Sequence, residues 1–281
     1  MNRMKTLTAL VLSAALCLAG CTAGALSSSA VPSAPASSAA PSSASGEPVT
    51  LTVFAAASLT ETLTRIAEDY TAAHPQVTFS FNFDSSGTLQ TQIEEGADCD
   101  LFLSAAQKQM DALESQGLMD AATRRDLLEN KVVLAVPEGN PAGITEFADI
   151  GTDRCTLVAL GNDDVPVGSY SREILQNLGI WDGLEQAGKI TYGSNVKEVT
   201  TQVAEAAADC GIVYATDAFS AGLEVVAQAQ PDWCSPVVYP GAVTASSAHA
   251  DEALAFLDSL GEAQAAQVFR SVGFTVVGEG A

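Results

Sequence analysis

Histidine and clustered cysteine are nearly missing from the 281-residue sequence. Two histidines, and six cysteines with no C-x-x-C among them, exclude a zinc finger or a His-rich metal centre. Bases are scarce: 12 Lys and Arg stand against 34 Asp and Glu, a formal charge of −22. So acidic a surface repels phosphate backbones and anionic lipid, which excludes nucleic acid as a partner. No G-x-S-x-G elbow occurs. His74, before Pro75, and His249, in a small polar stretch, both read as exposed, so a serine hydrolase lacks its base. The five tyrosines are scattered, which disfavours an iron site. No 20–50-residue repeat is visible. Charged residues are only 16% while hydrophobic ones reach 47%, so the chain as a whole is not disordered.

What is present begins with a leader. Met1-Asn2-Arg3-Met4-Lys5 is basic, Leu7 to Leu18 is apolar, and Leu18-Ala19-Gly20-Cys21 follows. The apolar run is shorter than the roughly 20 residues of a membrane span. The ending resembles a bacterial lipobox, which implies cleavage after residue 20 and lipid on the Cys21 thiol. Cleavage removes Arg3 and Lys5 and no acid, leaving ten bases against 34 acids and a charge of −24. The folded part is then expected outside the cytoplasm, anchored to the membrane. From Thr22 to Gly46, 20 of 25 residues are Ser, Ala or Pro, too few large apolar groups to offset ordering entropy. The stretch reads as a tether. Cys99, Cys155, Cys210 and Cys234 remain, as disulfides or as buried free thiols; four cysteines allow three pairings. Cys155 and Cys210 each stand just before an expected buried strand.

Beyond residue 48, strand-like runs alternate with helical patterns. Strands are expected over Val49–Ala56, Val77–Phe83, Asp100–Ser104, Val132–Pro137, Thr156–Leu160, Ile190–Gly193, Gly211–Tyr214, Glu224–Ala227 and Val237–Tyr239. Helices are expected after Leu59 and over Leu89–Glu95, Gln107–Gln116, Ser169–Leu178, Lys197–Ala207, Asp251–Leu260 and Ala263–Val272. This rhythm implies α/β architecture with mostly parallel sheets covered by helices. Lys131–Val136 and Pro236–Tyr239 each precede a proline and a change of pattern, and read as crossovers. The expected organisation is a signal peptide at 1–20 and a lipidated tether at 21–48. A discontinuous first lobe follows at 49–134 and 238–281, with a second lobe at 135–237.

Four strand-to-helix junctions share one chemistry. They are Ala55-Ala56-Ala57-Ser58-Leu59-Thr60, with Ser58 read as a helix N-cap, Asp84-Ser85-Ser86-Gly87-Thr88-Leu89, Val165-Pro166-Val167-Gly168-Ser169-Tyr170, and Gly193-Ser194-Asn195-Val196-Lys197. A helix N-terminus offers unpaired N–H groups and a partial positive charge. Several converging at the carboxyl ends of strands can hold an oxyanion without a cation.

Three segments carry a resemblance: Thr52-Val53-Phe54-Ala55-Ala56-Ala57-Ser58-Leu59, Ser85-Ser86-Gly87-Thr88-Leu89 and Ala97-Asp98-Cys99-Asp100-Leu101-Phe102-Leu103-Ser104-Ala105. Val165-Pro166-Val167-Gly168, Gly211-Ile212-Val213-Tyr214, Val268-Phe269-Arg270 and Gly273-Phe274-Thr275-Val276 extend it. Over about residues 50–277 the chain resembles the molybdate-binding proteins of ABC importers. The resemblance implies a two-lobed type II periplasmic-binding-protein fold and no enzymatic activity. It implies no cofactor, and as partners a transporter permease and a small oxyanion, molybdate or tungstate, bound by a monomer. Ser58 and Ser86 would donate from the first lobe, Val167 and Val196 through backbone N–H groups from the second, and Tyr214 through its hydroxyl. No protein atom would ligate the metal directly. Val167 departs from the alanine common at that position, and Asp84 is expected to point outward. Sulfate or thiosulfate is the alternative ligand, and a secreted serine hydrolase a remote one.

Overall fold

Buried β-branched runs and amphipathic stretches build two sheets flanked by helices. A computed structural model describes residues 47–278; the expected signal peptide, Cys21 and nearly all of the expected tether lie outside these residues. The first half opens with β1 (Val49–Ala56), a 3-10 turn at Ala57–Leu59 and α1 (Thr60–Ala73), whose Leu63, Ile66 and Ala67 form its buried face. Next come β2 (Val77–Asp84), α2 (Ser86–Glu94), β3 (Leu101–Leu103), α3 (Gln107–Ser115) and β4 (Arg125–Asn130). On β2 the period-two pattern puts Phe79, Phe81 and Phe83 in one stacked ladder, with ring centroids 5.6 and 4.9 Å apart.

The second half runs through β5 (Val132–Val136), β6 (Val158–Gly161), α4 (Pro166–Asn177), α5 (Trp181–Ala187) and β7 (Ile190–Gly193). It continues with α6 (Val196–Ala204), β8 (Cys210–Tyr214), α7 (Ala215–Ser220) and β9 (Glu224–Gln228). The chain then returns to the first half with β10 (Val237–Val243), α8 (Ala250–Ser259), α9 (Ala263–Ser271) and β11 (Thr275–Val276). Strand order is β11-β4-β10-β3-β1-β2 in the first sheet and β7-β6-β8-β5-β9 in the second. No helix among the described residues is long and apolar enough to cross a membrane.

The two-sheet α/β architecture agrees with the sequence reading; the proportion of parallel pairing does not. Four pairings are parallel and five antiparallel, so both sheets are mixed. Four of the five antiparallel pairings involve β5 or β10, the strands that enter each sheet from the other half; the fifth joins β11 to β4. The first crossover also falls earlier than the 134/135 boundary. Lys131 alone separates β4 from β5, and all of β5 lies in the second sheet. On the return, β10 begins at Val237 rather than 238. Cys155 and Cys210 sit side by side at the start of parallel β6 and β8, as separate buried thiols with sulfurs 3.8 Å apart.

Candidate oxyanion site

The carboxyl ends of the parallel strands face one another across the gap between the sheets. There α2, α4 and α6 begin, at Ser86, Pro166 and Val196. A small, nearly closed cavity of about 10 Å³ lies at this point, walled by Ser58, Ser86, Ala105, Pro166, Val196 and Tyr214 among others. Neither lysine nor arginine lines it.

Four of the five expected site residues, Ser58, Ser86, Val196 and Tyr214, come together on this wall. Val167 is fully buried just behind it, with Val165 and Pro166 forming the surface instead. Each helix start presents N–H groups with no carbonyl one turn earlier to accept them. Ser86 Oγ accepts the Ala105 N–H at 2.9 Å, which leaves its own hydrogen free to donate. The Tyr214 hydroxyl donates to the Ala105 carbonyl at 3.5 Å and also lies against the Tyr239 hydroxyl. Burial, with smaller contributions from Tyr239 and Tyr170, holds the Tyr214 phenol well above its ordinary pKa, so it keeps its proton.

Two sequence expectations are corrected. Ser58 is not an N-cap; it lies within the 3-10 turn, α1 is capped by Leu59, and the Ser58 hydroxyl meets the Tyr239 hydroxyl at 3.0 Å. Asp84 does not point away: it forms part of the cavity wall. Its Oδ1 is occupied by the Ser85 N–H at 2.7 Å and faces Asn195 Nδ2 at 3.5 Å from the other half, which restrains the carboxylate at the rim.

The halves touch through backbone and charge. The Gly87 N–H in α2 donates to the Asp164 carbonyl before α4 at 2.9 Å. Lys197 Nζ reaches Glu61 on α1 at 2.9 Å and Asp217 on α7 at 3.2 Å. Beyond this ion pair, neither oxygen of the fully buried Asp217 has a hydrogen-bond partner. Burial raises its pKa to about 6, against the opposing pull of Lys197. Burial also draws the Lys197 pKa down, but Asp217 and Glu61 outweigh it and hold the ammonium above its usual range. The carboxylate, with Lys197 as its single partner and no neutral donor, bears the cost of burial. Asp217 is ionised and costly at pH 7 but neutral in both folded and unfolded states below about pH 4. Asp217→Asn is therefore expected to be more stable than the parent at pH 7, by up to about 3 kcal/mol. The gap should close as pH falls from 6 to 4, and urea denaturation at both ends of that window measures it.

Ala105 and Tyr239 were not read as site residues from sequence. Gly87 was visible as a turn glycine, whereas its approach to Asp164 depends on how the halves meet.

The model for bacterial extracellular solute-binding proteins matches residues 51–275. A Bacillus subtilis (strain 168) protein, provisionally named ABC transporter substrate-binding lipoprotein YvgL, is 37% identical over 233 residues, 82% of this chain and 88% of its own. The molybdate-binding protein ModA of Escherichia coli (strain K12) is 39% identical over 234 residues, 80% of this chain and 89% of its own. The solved periplasmic molybdate-binding protein of Azotobacter vinelandii superposes with a TM-score of 0.72 at 23% identity, over 80% of this chain and 98% of its own. At that identity the likeness is one of fold. With a match running from β1 to β11 and relatives of this identity aligned over most of their length, the chain belongs to the bacterial extracellular solute-binding proteins, which serve transport outside the cytoplasm and are not enzymes.

Proposed function

We propose that the protein captures molybdate, and also tungstate, between its two halves and delivers it to an ABC importer, held at the membrane by lipid on Cys21. The observation that carries this reading is a cavity lined by hydroxyls and helix starts and by no cationic side chain. Ser58, Ser86 and Tyr214 supply hydroxyl donors, and Val167 and Val196 supply backbone N–H groups. The relatives named for molybdate binding and for a lipoprotein support the same reading.

Burying a dianion without partners is prohibitive. Hydrogen bonds to an ionised acceptor contribute roughly 1.5–3 kcal/mol each. Five of them cover micromolar to nanomolar affinity after ordering and closure costs. Fixed neutral donors favour a fully deprotonated oxyanion over a protonated phosphate, whose O–H would face another donor. Sulfate is disfavoured by size, because the smaller anion cannot reach every donor at once.

Calorimetric titration with molybdate, tungstate, sulfate and phosphate tests the reading. Micromolar or tighter binding of the first two is expected, with sulfate at least ~100-fold weaker, a gap of ~2.8 kcal/mol. Equal sulfate affinity would shift the assignment to a general tetrahedral oxyanion. For the anchor, Cys21→Ala should move the protein from the membrane fraction to the soluble fraction; retention at the membrane would remove the lipid from the proposal.

A further inference from the structure

Behind Ser58 lies a chain of hydrogen bonds whose direction can be read. Asn130 ends β4, one residue before the chain crosses between the sheets. Its Oδ1 accepts the Lys131 N–H at 2.8 Å. A backbone N–H only donates, so this end of the amide is the oxygen and the other the nitrogen. Nδ2 then donates to Thr216 Oγ1 of α7 at 2.8 Å and to the Tyr239 hydroxyl of β10 at 3.2 Å. Tyr239 is fully buried, and its phenol stays protonated because burial holds its pKa well above the ordinary value. Its oxygen accepts from Asn130, and its single hydrogen is free to be given to Ser58 Oγ, 3.0 Å away. Ser58 accepts there, and its own hydrogen is left for the cavity. In the reverse direction the Tyr239 hydrogen would have to turn from Ser58 to the Tyr214 hydroxyl.

We propose that Asn130 and Tyr239 are positioning residues of the anion site, acting through Ser58 to keep its hydroxyl a donor toward the ligand. The inference rests on the oxyanion reading of the cavity. It adds a basis for selectivity. A free serine hydroxyl can rotate to accept from a protonated ligand, but one already accepting from Tyr239 is biased toward an anion without protons. The same amide touches Tyr239 in the first half and Thr216 in the second, so the relay is anchored where the halves join.

The test is a double-mutant cycle by calorimetry on the full chain, with molybdate and phosphate as probes. Tyr239→Phe should weaken molybdate binding roughly 3–10-fold in the parent background and less than about 2-fold beside Ser58→Ala. The ratio of molybdate to phosphate affinity should fall with it, which loss of packing alone would not produce. Asn130→Asp turns the donor into an acceptor and draws the Tyr239 hydrogen away from Ser58. Its loss should match or exceed that of Tyr239→Phe and should likewise vanish beside Ser58→Ala; a bare charge effect would persist. Equal losses in both backgrounds, or a lowered melting temperature with unchanged affinity, would overturn the relay. A parent protein that binds neither molybdate nor any other tetrahedral oxyanion would overturn the reading of the cavity and the relay with it.

Discussion

Gly87→Ala is expected to weaken oxyanion binding by at least ~100-fold while leaving the fold of the ligand-free protein as stable as before. A Cβ at this position would lie 2.5 Å from the Asp164 carbonyl oxygen and 2.8 Å from its Cα. Both obstacles are backbone, so no side chain can swing aside. They belong to the opposite half, so the clash is relieved by opening rather than by local distortion. Opening withdraws the donors near Pro166 and Val196 from an anion held by Ser58 and Ser86. Losing even two such bonds, at roughly 1.5–3 kcal/mol each, accounts for the expected loss. Within α2 itself alanine is the better helix former, by about 0.5–1 kcal/mol. Gly168 provides the contrast. A Cβ there would strike the carbonyls of Gly161 and Asn162 in its own half, so Gly168→Ala should lower the melting temperature instead. Parent-like affinity in Gly87→Ala would show that the halves do not meet at Asp164 when ligand is bound.

Tyr214→Phe should cost roughly 10–150-fold in molybdate affinity, the equivalent of 1.5–3 kcal/mol for one donor to a buried dianion. The fold should barely notice. The hydroxyl is held loosely, by a 3.5 Å contact to the Ala105 carbonyl at the limit of a hydrogen bond and by the neighbouring Tyr239 hydroxyl. The ring, edge-on to Tyr239 at 5.8 Å and Tyr170 at 6.4 Å, keeps its packing in the phenylalanine variant. If Tyr214 were a core residue and nothing more, the outcome would reverse, with a lower melting temperature and preserved affinity. Scanning calorimetry and a binding titration on the same variant separate the two.

These expectations draw unequally on sequence and on tertiary structure. The buried runs Val132–Val136 and Cys210–Tyr214 announce central strands, because both faces are covered and every position is apolar or small. β4, Arg125–Asn130, carries exposed Arg125, Asp126 and Glu129 and half-buried Asn130, and is a strand only because β10 and β11 flank it. The short helices α5 and α7 and the two-residue β11 lack the length over which periodicity can be seen. Ser58 illustrates a subtler limit. A serine before a helical pattern reads as a cap, but one turn of 3-10 helix intervenes and turns its hydroxyl toward Tyr239, 181 residues away. The helix starts that carry Ser58, Ser86 and Val196 were legible from motifs, whereas Tyr214 came only through the family resemblance. Ala105, Asn130, Tyr239 and the reach of Gly87 were not legible, since each acquires its role only when distant strands are brought together.

The most direct measurement is a crystal structure of the protein with molybdate, with molybdenum located by its anomalous scattering. The expected result is a single strong peak inside the cavity, its oxygens within hydrogen-bonding distance of the hydroxyls of Ser58, Ser86 and Tyr214 and of the N–H groups of Val167 and Val196. A peak elsewhere, or one held against a lysine or arginine side chain, would contradict a site built from uncharged donors.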